Sequence, residues 1–187
     1  MIKWQVIDLV LIPLAAFSQT GRLEFIGEYI DFTINPTRFT TNGIYVFVNN
    51  TDHDINQSIY FPFPPSADSV YVKRVFNLSY NKNINFQQKE KGIAFKIFAS
   101  QLDTLKVNIS YSQKTEIENE YILVITRYWK NALQFAEYSL TPDESVIIES
   151  VSYKPDKIEN NYYYWSMTDF IPKENFIVII KQPAIHP

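Results

Sequence analysis

Apolar and polar residues alternate with a period of two along most of this chain. The segments "GIYVFVNN", "TLKVNISYSQ" and "NFIVIIK" show the pattern, which is typical of β-strands that bury one face. Counted from Arg22, about eleven such segments follow one another at intervals of roughly 10–15 residues, separated by Asn, Asp, Pro and Lys. No convincing amphipathic helix is present. The pattern predicts an all-β fold: a single immunoglobulin-like antiparallel β-sandwich, with a jelly roll as the alternative.

Three prolines interrupt one of these segments, "SIYFPFPPSADSVYV", at Pro62, Pro64 and Pro65. Proline cannot donate a hydrogen bond to a β-ladder, and it is tolerated on sheet edges or where strand pairing stops. We therefore predict a paired strand over residues 58–61. Residues 62–65 are then a stiff, extended segment that carries the chain across an edge, from one sheet to the other. No basic residue flanks the prolines, which disfavours a proline-rich docking motif.

The first predicted strand, "RLEFIGEYIDFTI", shifts its alternation at Gly27, and this shift predicts a β-bulge. Four acids lie in predicted strands: Glu24, Glu28, Glu137 and Glu149. Alternation most simply places all four on the solvent face. The alternative is that two of them converge from distant strands as the carboxylate pair of a glycosidase.

Composition and charge narrow the classes of function. The chain has 187 residues, which suits one domain, and a net charge of −3 with acids and bases mixed along it. A nucleic-acid partner is therefore not indicated. Cysteine is absent, so disulfides and thiolate chemistry are excluded, while aromatic residues make up 16% of the chain. Only 4 glycines occur beside 15 asparagines, so Asn is expected to share the turn positions that need a left-handed backbone.

The first eighteen residues resemble an export signal. Lys3 precedes an apolar stretch that ends in "AFS", Ala16 to Ser18, a small-x-small cleavage pattern that predicts a signal peptide over residues 1–18. The β-sandwich domain is then residues 19–187, exported to the periplasm or the cell surface. The alternative is an N-terminal strand, "WQVIDLVLI". The apolar stretch is shorter than the roughly 20 residues that span a bilayer, and so no membrane span is predicted.

The strongest candidate for a metal site is "TDHDINQ", where Asp52, Asp54 and Asn56 reproduce the opening of a calcium loop. The sixth position should be Gly and is Gln57, so a polar hairpin turn is the preferred interpretation. The two histidines, His53 and His186, do not predict a metal site together. No G-x-S-x-G motif is present. We predict no catalytic residue, no metal and no cofactor.

The densest aromatic cluster, "NNYYYWSM", lies in a predicted strand, with Trp129 upstream. Successive side chains of a strand point to opposite faces, so Tyr163 and Trp165 share one face and Tyr162 and Tyr164 the other. One pair belongs to the core and the other to the surface. We predict that Trp129, Tyr163 and Trp165 form a ligand-binding surface, because exposed Tyr and Trp suit carbohydrate or protein recognition. The alternative is aromatic pairing across strands within the core.

Three stretches carry a resemblance to a known family. They are "NGIYVFVNNTDHDINQSIYFPFPPSADSVYV", "YILVITRYWKNALQFAEYSL" and "SYKPDKIENNYYYWSMTDFIPKENF". These stretches resemble a family of uncharacterised, exported bacterial β-sandwich proteins. The motifs that carry the resemblance are the turn that leads to "FPFP" and the late strand rich in Tyr and Trp. The resemblance implies a fold and an export route but no activity. The combined prediction is a non-enzymatic domain of the cell envelope that binds a protein or glycan partner, alone or within a larger surface assembly. The alternative is an envelope hydrolase that uses carboxylates.

Overall fold

A computed structural model describes residues 23–67, 69–124 and 131–181 of the chain. This part consists of fourteen β-strands joined by turns, and it contains no α-helix. The strands form one large sheet and two small ones that do not close into a barrel. The predicted all-β sandwich is therefore confirmed. In the same residues, no helix has the length and apolar character needed to cross a membrane.

The large sheet has eight strands in the order β12-β13-β10-β1-β2-β8-β4-β5. All neighbours in it are antiparallel except β1 and β10, which run parallel. In chain order its strands are β1 (Glu24–Ile34), β2 (Arg38–Val48), β4 (Tyr71–Asn77), β5 (Lys82–Asn83), β8 (Thr104–Lys114), β10 (Leu133–Pro142), β12 (Lys157–Glu159) and β13 (Tyr162–Phe170).

Two sheets of three strands make up the second layer of the sandwich. One has the order β3-β7-β6 and the other β11-β14-β9. The first contains β3 (Ile55–Pro62), β6 (Phe86–Lys89) and β7 (Gly92–Ala99), and the second contains β9 (Glu118–Tyr121), β11 (Ile148–Val151) and β14 (Phe176–Ile180).

Both small sheets pack on the same face of the large sheet. Residues directly opposite each other on paired strands share a face, and the register of the large sheet places Phe32, Tyr45 and Trp165 on one face. The ring of Tyr45 contacts Phe61 of β3 at a centroid distance of 5.3 Å. The rings of Phe32 and Trp165 contact Phe176 of β14 at 4.8 and 5.0 Å. The aromatic surplus of the sequence therefore fills the space between the layers.

The β-bulge predicted at Gly27 is confirmed. The register of β1 against β2 shifts between Phe25 and Gly27. Before the shift Phe25 points into the core, and after it the inward positions are Glu28, Ile30 and Phe32. The bulge thus reverses which residues of β1 are buried, and the expectation that Glu28 lies on the solvent face is wrong.

The chain crosses between sheets at the proline segment as predicted, but the paired strand is longer than residues 58–61, and Pro65 lies in a turn rather than in an extended segment. The strand β3 lies at the edge of its sheet and pairs only with β7, up to the pair formed by Pro62 and Gly92. Phe63 still donates its backbone N–H to Lys91 O at 3.0 Å. The chain then turns through Pro64, whose carbonyl accepts from Ala67, and enters the large sheet as β4. An edge strand tolerates these prolines because its outer side has no ladder to complete.

Asparagine takes several of the turn positions, also as predicted. Six described residues other than glycine have a positive φ, and three of them are Asn81, Asn160 and Asn161, with φ between 49° and 62°. A left-handed backbone is less costly for Asn than for other residues with a side chain, because its amide bonds to nearby backbone.

Candidate functional site

An open groove of about 640 Å³ lies on the solvent side of the β3-β7-β6 sheet. It is lined by the exposed face of β7 and by the chain between Tyr80 and Gln87. This chain segment leaves β4, forms β5 at the edge of the large sheet, and returns to the small sheet as β6. The N–H of Ile84 bonds to Val75 O at 2.9 Å and fixes the crossing. The groove has the volume of an ordinary ligand site.

Aromatic rings supply the apolar part of the groove. Phe98 is 45% exposed and Tyr80 41%, and their ring centroids lie 6.4 Å apart. The Tyr80 hydroxyl donates to Asp103 Oδ2 at 2.6 Å, which holds its ring beside β7. Phe86 is half-buried and packs against the core. Two rings thus stand open to solvent at one site and offer contact area at low entropy cost.

Amides and lysines supply the polar part. Asn83, Asn85 and Gln87 are exposed along the wall, and Lys82 and Lys96 are exposed beside them. Within the described residues, the Lys82 and Lys96 ammonium groups form no ion pair, and the side chains of Asn83 and Asn85 form no hydrogen bond with protein. The described lining contains two lysines and no acid. The ammonium groups of Lys82 and Lys96 and the amides of Asn83 and Asn85 are therefore available to an external partner, whereas Gln87 Oε1 accepts from Lys89 Nζ at 3.1 Å.

A second cluster of polar groups lies inside the sandwich, around Glu28. Its side chain is buried, and each carboxylate oxygen accepts a hydrogen bond: Oε1 from the Tyr138 hydroxyl at 2.6 Å and Oε2 from the Tyr121 hydroxyl at 2.9 Å. Tyr121 Oη lies 3.2 Å from the Tyr45 hydroxyl. Tyr138 and Tyr45 stand on strands that flank β1, whereas Tyr121 stands on β9 of the opposite layer. The carboxylate therefore ties the two layers together.

Burial dominates the ionisation of this cluster. It raises the pKa of Glu28 to about 7, although the hydrogen bonds from Tyr138 and Tyr121 act in the opposite direction. Burial also raises the pKa values of Tyr45, Tyr121 and Tyr138 well above the usual range, with the Glu28 charge adding to the effect. The tyrosines consequently remain hydrogen-bond donors at neutral pH. Because the carboxylate is enclosed and both its oxygens are occupied, this cluster is not open to a substrate.

The structure corrects the predicted aromatic binding surface. Tyr163 and Trp165 do share a face of β13, but Trp165 is only 1% exposed, stacks on Tyr163 and contacts Phe176 edge-on. Its indole N–H donates to Tyr153 O at 2.9 Å. This face points inward because Trp165 stands opposite the buried Tyr138 of β10. Trp165 is thus a core residue and cannot itself contact a ligand.

The remaining aromatic predictions have different outcomes. Tyr163 is half-buried against the core, and Trp129 lies outside the described residues. The exposed member of the aromatic run is Tyr162, at 41%. The structure therefore does not bring the three predicted ligand-binding residues together at a surface.

Only residues 51–54 of the "TDHDINQ" stretch form the preferred turn, and residues 55–57 already belong to β3. The turn joins strands of two different sheets, β2 and β3, and is therefore not a hairpin. The buried Asn49 organises it: its Oδ1 accepts from Thr51, and its Nδ2 donates to His53 O and Ser100 O. Asp54 accepts from the N–H of Gln101 at 3.1 Å. Across residues 23–67, 69–124 and 131–181, no three His, Cys, Asp or Glu side chains meet as a metal site would require. His186 and the predicted signal peptide lie outside the described residues.

The sequence contained only part of the signal for the groove. In "AFKIFA", Lys96 and Phe98 alternate with the buried Phe95 and Ile97, so an aromatic ring on the polar face of a strand was visible. An aromatic ring on the polar face of a strand is exposed, and an exposed ring is a binding signal. The opposite wall could not be found, because it depends on how the chain passes from one sheet to the other.

Comparison with known proteins identifies the fold but not a family. No protein-family model and no curated protein matches the chain. A solved structure of a candidate nutrient-binding protein from Legionella pneumophila superposes with a TM-score of 0.66 at 15% identity, over 88% of this chain and 68% of the other. An M1 zinc metallopeptidase from Deinococcus radiodurans superposes with a TM-score of 0.53 at 10% identity, over 86% and 43%. This chain thus spans less than half the length of that peptidase, and likeness at these identities concerns the fold alone.

Proposed function

We propose that this chain is an exported, non-enzymatic domain of the cell envelope that binds a protein or glycan partner in the groove beside Phe98. The observation that carries the proposal is the pair of open rings, Tyr80 and Phe98, with four polar side chains beside them that bond to no other described residue: Lys82, Asn83, Asn85 and Lys96. Sites of this kind combine apolar contact with a few polar groups that fix orientation. The candidate nutrient-binding protein of similar fold supports a binding role, and the N-terminal signal pattern supports export.

The test is a capture experiment on residues 19–187, with a pull-down from envelope extract and a glycan array. The informative variant is Phe98→Ala. Truncation of an aromatic hot spot costs about 2 kcal/mol of binding or more, so we expect capture of the same partner to fall by at least tenfold. The matched control is Tyr71→Ala, because Tyr71 is 64% exposed on β4 and does not line the groove. The control should capture as well as the wild type.

A screen on glycoside substrates accompanies the capture experiment, because it addresses the alternative of a carboxylate hydrolase. Turnover that is lost on replacing two carboxylates would contradict the non-enzymatic proposal. Capture that survives Phe98→Ala but is lost in Tyr71→Ala would place the binding surface on the large sheet, around Tyr71, and not in the groove.

A further inference from the structure

The lining of the groove carries only positive charges, although the protein as a whole is acidic; one acid, Asp103, lies beside the lining and accepts from the Tyr80 hydroxyl. The net charge of the chain is −3, yet the described groove lining holds Lys82 and Lys96 and no Asp or Glu. Lys96 projects from the same face of β7 as Phe98, two residues away, and Lys82 belongs to β5 on the facing wall. Unpaired ammonium groups that border a concave site raise the local concentration of anions.

The neutral groups of the lining suit a sugar more closely than a peptide. The amides of Asn83 and Asn85 each donate and accept hydrogen bonds, as the hydroxyls of a sugar ring do. The open faces of Tyr80 and Phe98 carry the negative side of the ring quadrupole. The C–H groups on one face of a pyranose ring are weakly positive and fit against it. A peptide laid across the face of β7 would find no free backbone ladder there, because β7 is paired on both sides, with β3 and β6; the open edges among the lining strands are those of β3, β5 and β6.

We infer that the partner held in the groove is an acidic oligosaccharide, with its rings on Phe98 and Tyr80 and an anionic substituent between Lys82 and Lys96. This inference rests on the binding function proposed above and adds the chemical class of the ligand. The anion is a carboxylate, sulfate or phosphate ester on the sugar, and the experiment distinguishes these sources.

The test uses immobilised oligosaccharides in matched pairs that differ only in charge. The pairs are oligogalacturonate and its methyl ester, chondroitin sulfate and its desulfated form, and a phosphorylated mannose oligomer and plain mannose oligomer. Hexaglutamate serves as the acidic peptide. We expect the protein to retain the acidic member of at least one pair at least fivefold more than its neutral partner, and hexaglutamate no more than a neutral sugar. Retention of the acidic sugar should weaken as salt is added.

Three variants assign the selectivity to the groove. The double change Lys82→Gln and Lys96→Gln should bring retention of the acidic sugar down to that of its neutral partner. Lys173→Gln removes an exposed lysine outside the groove lining and should leave the preference intact. Phe98→Ala should abolish retention of both members of a pair.

The outcomes separate this inference from the proposed function. Equal retention of the acidic and neutral sugars, with loss of both in Phe98→Ala, would overturn the inference and keep the groove as a binding site. Retention of hexaglutamate above that of every acidic sugar would overturn the inference in favour of an acidic protein as the partner. The inference would also be overturned if no sugar retained the protein, while a protein partner was captured from extract by the wild type and not by Phe98→Ala. Retention that Phe98→Ala does not change would overturn the proposed function itself.

Discussion

Glu28 and Tyr121 stand on opposite layers of the sandwich, and the Tyr121 hydroxyl donates to Glu28 Oε2 over 2.9 Å. Since Glu28 is 1% exposed, this bond is made away from water. Desolvation of a carboxylate is costly and is only partly offset by hydrogen bonds from neutral donors. The link between the layers should therefore depend on pH.

The first prediction concerns stability against pH. The pKa of Glu28 is about 7 in the folded protein, against an ordinary value of 4.5, so the folded state binds the proton more tightly than the unfolded chain. This group's contribution is complete below about pH 4.5 and is lost as the pH rises to about 7, by roughly 3 kcal/mol over that window. Urea unfolding of the wild type and Glu28→Gln from pH 4 to pH 8 measures it. The wild type should lose stability relative to Glu28→Gln over this range, whereas a difference that stays constant would contradict the assignment.

The second prediction tests the role of a neighbouring hydroxyl. The bond from Tyr138 favours the charged form of Glu28 and so lowers its pKa. Tyr138→Phe removes that donor and should raise the pKa of Glu28 further. The loss of stability with pH should then continue to a higher pH than in the wild type. An unchanged upper limit of the window would mean that Tyr138 does not influence the ionisation of Glu28.

The third prediction concerns Gly92, which pairs with Pro62, the last residue of β3. A Cβ at this position would lie 2.5 Å from Phe61 O, a backbone atom that cannot move without disturbing the β3–β7 ladder. Gly92→Ala should therefore lower the free energy of unfolding by about 1–3 kcal/mol. Glu90→Ala, in the exposed turn just before it, is the control and should stay within about 0.5 kcal/mol of the wild type. Equal stability of both variants would contradict the close approach.

The fourth prediction uses the alternation of β13. Trp165→Ala empties a core position and should cost about 3–5 kcal/mol. Tyr162→Ala changes an aromatic residue of the same strand that is 41% exposed, and its effect should stay near 0.5 kcal/mol. Chemical denaturation of the two variants makes the comparison. A mild effect of Trp165→Ala would restore the outward orientation that the sequence suggested.

The sequence predicted the features of the fold that depend on residues close together in the chain, and it missed those that depend on contacts between strands. The strands, the bulge at Gly27 and the crossing at Pro62 follow from neighbouring residues, and each is present. Which face of a strand is buried depends on its partners: Glu28 is inside because the bulge reverses β1, and Trp165 is inside because of its register against Tyr138. The groove needs both the exposed face of β7 and the return of the chain after β5, which no local pattern encodes.

The most direct test of the binding groove is a ¹H–¹⁵N NMR titration of residues 19–187 with the best ligand from the capture experiment. We expect the largest shift changes on the backbone amides of β7 and of residues 80–87, around Phe98. Shift changes that instead concentrate on β13, around Tyr163 and Trp165, would contradict it and return the binding site to the aromatic strand.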